Sequence, residues 1–306
     1  MFTRNWFLTP GLLLTVLFGA ALAAEDIKPA PVQKPAVFRS NVEMVVVRAA
    51  VIDPLNRYVV GLEKEHFKLF DNRVEQTISH FSSDNAPLSV GIVLDISGSM
   101  STNLPGAKSS VIRFLQQGTP QDEYFLVTFS DRTAVVQDFT GRAEDIRNNI
   151  AFVQAKGRTA LYDAVYAGLQ KLSEAHHDKK ALIVITDGED NSSRYTFSDV
   201  KEFAKESDAQ IYAIGEKGDL GYGRAIISEL VSLTGGRAFF PTSLKSLDYY
   251  CDLIHTELRN QYVLGYTPNN PTQDGKWRKI KVQLQPPEGL PKLNVHAKEG
   301  YFSSKR

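Results

Sequence analysis

The chain has 306 residues, 42% of them hydrophobic and 23% charged, a globular composition that excludes a disordered polyelectrolyte. Thirty-five Lys and Arg balance thirty-five Asp and Glu, so there is no broad basic field for nucleic acid. The one cysteine, Cys251, excludes an intramolecular disulfide, and its expected role is that of a small core residue.

At the N-terminus, Arg4 precedes an apolar stretch from Leu12 to Leu22 that is interrupted by Thr15 and Gly19. It closes on Ala21-Leu22-Ala23, an A-x-A pattern, just before Glu25-Asp26. A positive start, a short apolar core and small residues at the cut describe a signal peptide over 1–23, cleaved near Ala23. The core falls short of the roughly 20 residues that a spanning helix needs. The expectation is an exported protein, periplasmic or secreted, that meets the membrane only through this signal. Residues 24–38 contain KPAPVQKPA, the Pro-rich composition of a linker.

Residues 39–84 read as β-rich. Glu43 to Val51 is a β-branched apolar run, Asp53 to Arg57 supplies a turn, and Tyr58 to Val60 is extended again. His66 to Leu69 and Gln76 to Phe81 alternate around Asp71-Asn72 and predict a hairpin.

The pattern changes over 87–256. Leu88 to Leu94, Tyr124 to Phe129, Ala181 to Thr186 and Ile211 to Ile214 are continuous apolar runs of strand length. Such runs belong to parallel strands covered by helices on both faces. Helical patterns alternate with them at Ala160 to Leu172, Val200 to Ala204, Ile226 to Leu233 and Leu244 to Leu258. The prediction is an α/β domain with a doubly wound, mostly parallel sheet. Over 258–304, Gln261 to Tyr266, Trp277 to Leu284 and Leu293 to Ala297 return to β-type alternation. The two β-rich flanks are expected to pair as one small sandwich carrying the α/β domain as an insertion.

Chemistry concentrates where the buried runs end. Asp95-Ile96-Ser97-Gly98-Ser99 follows the first of them directly, and open α/β sheets bind ligands outside the carboxyl ends of their strands. Asp95, Ser97 and Ser99 can converge on one point if Gly98 permits a sharp bend. Thr159 precedes a predicted helix and Asp187 follows the ALIVIT run, which brings both to the same edge. Two carboxylates and three hydroxyls, with no His or Cys, form a hard oxygen set suited to Mg²⁺, Mn²⁺ or Ca²⁺. With only two negative charges facing it, the cation keeps affinity for one further anionic oxygen.

Together, Asp95-x-Ser97-x-Ser99, Thr159 and Asp187 resemble the complete metal-ion-dependent adhesion site of von Willebrand factor A domains, over roughly residues 87 to 256. The resemblance implies a Rossmann-like fold, with Ser97, Ser99 and Thr159 as direct ligands and Asp95 and Asp187 as charged supports, often through water. It implies a protein partner that supplies an Asp or Glu, and no catalysis. The flanks, through Gly61-Leu62-x-Lys64-Glu65-x-Phe67, Gly235-Gly236-Arg237-Ala238-Phe239-Phe240 and Gln261-Tyr262-Val263-Leu264-Gly265-Tyr266, are similar to a bacterial group of exported A-domain-related proteins. Arg158 stands where a Gly is frequent in such proteins and adds charge to the rim.

Other polar groups read more simply. Glu189 to Ser193 is expected to be a solvated acidic loop, and His176-His177 capping or exposed residues. The glycine-rich Gly215 to Gly223 lacks the Lys-Ser/Thr of a phosphate loop and reads as a loop at the rim, with Tyr222 and Arg224 nearby. Two other functions fit parts of the pattern: an architectural envelope-assembly protein whose metal only stabilises loops, and a Mg²⁺-dependent hydrolase using Asp95. The hydrolase requires a second carboxylate two positions after Asp95, where Ser97 stands.

Overall fold

A computed structural model describes residues 44–84, 86–187, 189–215, 221–243, 246–270 and 272–305. The signal segment and the linker lie outside the described residues.

The first β-rich stretch supplies β1 (Val45–Ile52), β2 (Phe67–Asp71), β3 (Val74–Gln76) and β4 (His80–Asp84). The central stretch begins with β5 (Leu88–Asp95), α1 (Leu104–Gln116), β6 (Glu123–Phe129), β7 (Thr133–Thr140) and α2 (Ala143–Ala151). It continues through α3 (Leu161–Leu172), β8 (Lys179–Thr186), α4 (Phe197–Glu206), β9 (Gln210–Gly215) and α5 (Gly221–Thr234). Then come β10 (Ala238–Phe239) and α6 (Leu247–Arg259), followed by β11 (Gln261–Tyr266), β12 (Trp277–Leu284), β13 (Asn294–Ala297) and β14 (Gly300–Phe302).

The apolar runs form the middle of a six-stranded sheet in the order β10-β9-β8-β5-β6-β7. Every neighbouring pair is parallel except β6 with β7, an antiparallel edge. All eight residues of β5 are buried because helices cover both faces. On one face, Leu104, Val111 and Phe114 of α1 pack with Ile146 of α2 and Ile254 and Leu258 of α6. On the other, Leu161 and Val165 of α3 pack with Val200 of α4 and Leu230 of α5. Cys251 lies in the first of these cores, and burial pushes its thiol up to about 12, which removes it as a nucleophile at neutral pH.

The flanks do pair. One antiparallel sheet runs β13-β1-β11-β4 and a second runs β14-β12-β2-β3, each mixing strands from before and after the α/β unit. Val47 pairs with Leu264, and Leu69 with Val282, and their side chains share one core with Phe67, Tyr262 and Ile280. The expected hairpin is only half right. Its turn is Asn72-Arg73, both at positive φ, and its second arm stops at Gln76. Ser79 begins the crossing to the other sheet, where His80 pairs with Gly265. The last helix was expected from Leu244, which lies outside the described residues; α6 is observed from Leu247.

His296 of β13 lies opposite Ala50, where burial, with the nearby Arg237 charge, pushes its ring down to about 4 from an ordinary 6.5. The fold therefore favours the neutral ring. Its contribution to stability is complete above pH 6.5 and is lost as pH falls towards about 4. The urea midpoint should fall between pH 7 and pH 4 less steeply in His296→Gln than in the parent.

Candidate metal-binding edge of the sheet

The chain leaves β5 towards β6 on one side, and later returns to place β8 on the other. With α1 covering one face and α3 the other, the crevice between the carboxyl ends of β5 and β8 is a topological switch point. Asp95 is the last residue of β5, and Asp187 directly follows β8.

Asp95 is fully buried. Its Oδ1 accepts the Ser97 backbone N–H at 2.7 Å, and its Oδ2 accepts the Thr186 hydroxyl at 2.6 Å. Burial raises its pKa most, those hydrogen bonds oppose the shift, and the Asp187 charge raises it further. Ser97 Oγ and Ser99 Oγ lie 3.0 Å apart, and Ser99 Oγ donates to Asp187 Oδ1 at 2.7 Å. Ser97 is buried, whereas Ser99 faces solvent at the mouth.

Thr159 is buried at the same edge, but its hydroxyl is not in this hydrogen-bonded chain among the described residues. Its loop is fastened by backbone bonds, Gly98 N–H to Gly157 O at 3.0 Å and Lys156 N–H to Ile96 O at 2.7 Å. The donor set fits a small hard cation. The 3.0 and 2.7 Å separations are those of O–H···O hydrogen bonds, which hold these oxygens together at the edge. No Lys or Arg forms an ion pair with Asp95 or Asp187 among the described residues, and no group of three or more His, Cys, Asp or Glu gathers into a metal cluster there.

Two expectations change. Gly98 sits at φ −59°, ψ −32°, a conformation open to any residue, so it is not what permits the bend. Gly157 is: it has φ +82°, and a Cβ there would stand 2.2 Å from Asp131 Oδ2. Gly157→Ala is expected to lower stability by about 1–2 kcal/mol from the left-handed backbone alone. Displacing Asp131 also frees the Arg158 N–H that it accepts at 3.0 Å, and a urea melt checks the loss. The Arg158 side chain turns to Asp131, 3.7 Å away.

The acidic loop is not merely solvated. Asn191 Oδ1 accepts the Thr159 N–H at 2.9 Å, Asp190 Oδ1 accepts that of Tyr162 at 3.3 Å, and Ser193 Oγ accepts that of Asp163 at 3.0 Å. These bonds cap α3, whose own N-cap residue, Ala160, offers no side chain to do so. The Asp163 carboxylate answers by accepting the Arg194 and Tyr195 N–H groups at 2.8 and 3.0 Å. Thr186 and Asn191 are therefore site-shaping residues that local sequence did not signal. Of the glycine-rich stretch, 216–220 lie outside the described residues and Gly221 to Gly223 open α5, while Arg224 stacks over the Phe240 ring at 4.7 Å. His176, which is exposed, binds Glu123, and His177 binds the Gln121 carbonyl; neither side chain caps a helix among the described residues.

The family model for the von Willebrand factor type A domain matches residues 89–249, more than half of the chain. The chain belongs to the von Willebrand factor type A domain family. A solved von Willebrand factor type A structure from Catenulispora acidiphila matches with a TM-score of 0.52 at 12% identity, covering 76% of this chain and 73% of that one. That likeness shows the fold. The PilB minor pilin of Streptococcus sanguinis matches at 16% identity and a TM-score of 0.49, over 57% of this chain. The chain spans 62% of that pilin's length. The von Willebrand factor domain of the type V pili tip protein Mfa5 from Porphyromonas gingivalis matches at 16% identity and 0.45, over 56% of this chain and 96% of that one. Within the A domain, the β5 and β8 ends and the α3 cap are the elements that position the edge. Among the described residues, no helix is long and apolar enough to cross a membrane.

Proposed function

We propose that this A domain is a metal-dependent protein-binding module of the bacterial envelope or exterior, exported by its signal segment. Residues 87–256 carry the site, on a sandwich formed by 39–84 and 258–304. The observation that carries the reading is the meeting of Asp95, Ser97, Ser99 and Asp187 at the switch point, two hydroxyls beside two carboxylates. Ser97, Ser99 and Thr159 would hold the cation, and Asp95 and Asp187 would supply its charge balance. Mg²⁺ fits first, with Mn²⁺ and Ca²⁺ as alternatives. When bound, the cation offers a remaining coordination position to a partner's Asp or Glu. The protein's own groups align that position and keep Asp95 away from water; no bond is made or broken.

Isothermal titration of Mg²⁺, Mn²⁺ and Ca²⁺ into the full chain tests this. Saturable binding that disappears in Asp187→Ala supports the proposal, and absence of binding by all three cations contradicts it. One observation favours an architectural reading as well: both Asp95 oxygens and the Ser99 hydroxyl already have protein partners. On that reading the edge ties loops together and the cation adds only rigidity. Partner capture that survives both EDTA and Asp187→Ala is its signature.

A further inference from the structure

The sandwich carries a cleft of about 640 Å³, floored by the outer face of the sheet that contains β12 and β2. Phe70 and Trp277 form its apolar part, and Arg73, Lys279 and Lys281 bring three cations against one carboxylate, Glu299. Glu299 is already engaged by the Ser232 hydroxyl. Among the described residues, none of the three cations forms an ion pair. Lys68, on the same face, shows the contrast: it lies 3.9 Å from Glu75.

The arrangement is ordered by the strands. Along β12, buried Arg278, Ile280 and Val282 alternate with Lys279, Lys281 and Gln283, which point to solvent. Lys281 pairs across the ladder with Phe70, so cation and ring stand side by side. Arg73 approaches from the β2–β3 turn, where its φ of +70° is fixed by the hairpin. Lys279 and Lys281 are two residues apart in one strand, which sets their bases about 7 Å apart. An extended peptide repeats its side chains on one face at that same spacing.

We propose that this cleft binds an extended acidic peptide segment. Carboxylates at alternate positions meet Lys279 and Lys281, and an apolar side chain on the same face lies against Phe70 and Trp277. Arg73 closes the far side as a bidentate donor to a further carboxylate. The site is separate from the metal edge and needs no cation.

The probe is a fluorescein-labelled peptide with leucine and then glutamates at alternate positions, separated by serines. Its anisotropy is read with the full chain in EDTA, so the result is independent of the metal site. Binding is expected at low salt and should weaken as salt rises past the screening length. Lys279→Glu with Lys281→Glu should weaken it by about tenfold or more, because both positions are exposed and each reversal turns attraction into repulsion. An unchanged melting curve confirms that the variant is folded. Equal binding of the glutamine counterpart, equal binding by the double variant, or no binding at millimolar peptide overturns the proposal. So does capture of a sulfated oligosaccharide by a chain that ignores the peptide.

Discussion

Glu257→Ala should lower stability by about 3–5 kcal/mol, because it strands a buried cation. Glu257 of α6 has no exposed surface and accepts from three groups: Arg237 Nη1 at 3.1 Å, Tyr58 OH at 3.0 Å and Tyr212 OH at 3.0 Å. Tyr58 follows β1 of the sandwich, whereas Tyr212 is in the A-domain sheet, so one carboxylate joins both parts. Arg237 reaches on to Asn56 Oδ1 at 3.0 Å. Burial is the largest influence on the Glu257 carboxyl and raises its pKa, with Arg237 and the tyrosine hydroxyls pulling it back. Removing the carboxylate leaves Arg237 without its charge partner and the Tyr212 hydroxyl without its acceptor, while Tyr58 OH keeps the Leu253 carbonyl at 2.9 Å. Glu257→Gln keeps an acceptor and should lose less. Replacing Glu257 and Arg237 together by Met should recover much of the loss, since the desolvation of both charges disappears with them. Urea midpoints of the four proteins at pH 7 decide it.

Gly236→Ala should cost about 3 kcal/mol, at the upper end of overpacking penalties. A Cβ at Gly236 would stand 2.0 Å from the carbonyl oxygen of Ile211, which is backbone of a central strand and cannot turn aside. Its neighbour Gly235 closes α5 at φ +79°, and a Cβ there would stand 2.4 Å from the Lys298 backbone nitrogen. The pair lets the chain pass between β9 of the A domain and the end of β13 in the sandwich. Gly106→Ala is the control. That position lies in α1 with nothing within 4 Å of a new Cβ, so the change should stabilise by about 0.5–1 kcal/mol. Equal effects at the two glycines would contradict the packing argument.

Burial on both faces explains why β5, β6, β8 and β9 were readable as apolar runs, and why the doubly wound centre could be anticipated. α1 was missed although Leu104, Ala107, Val111, Phe114 and Leu115 are buried at helical spacing. Its first turn holds Pro105 and Gly106, and Pro is tolerated there because the amide has no helical partner. α2 was missed too, with only Ile146 and Ile150 buried in nine residues. β7 was missed because an edge strand with no fully buried residue carries no alternation. Asp95, Ser97, Ser99 and Asp187 were legible because each sits where a buried run stops. Thr186, Asn191 and the Asp190–Ser193 cap of α3 were not, since their roles are hydrogen bonds across gaps of 28 to 91 residues. The same applies to Gly157, whose requirement is set by its left-handed backbone and by Asp131.

The thermal midpoint of the full chain in Mg²⁺, Mn²⁺, Ca²⁺ or EDTA, beside Asp95→Ala, tests the central claim most directly. Selective binding to the folded state raises the midpoint by mass action, by about 2.7 kcal/mol of stability at a hundred times the dissociation constant. The account expects a rise with at least one cation that EDTA reverses and Asp95→Ala lacks. No shift at millimolar concentrations of all three cations, or an equal shift in the variant, contradicts it.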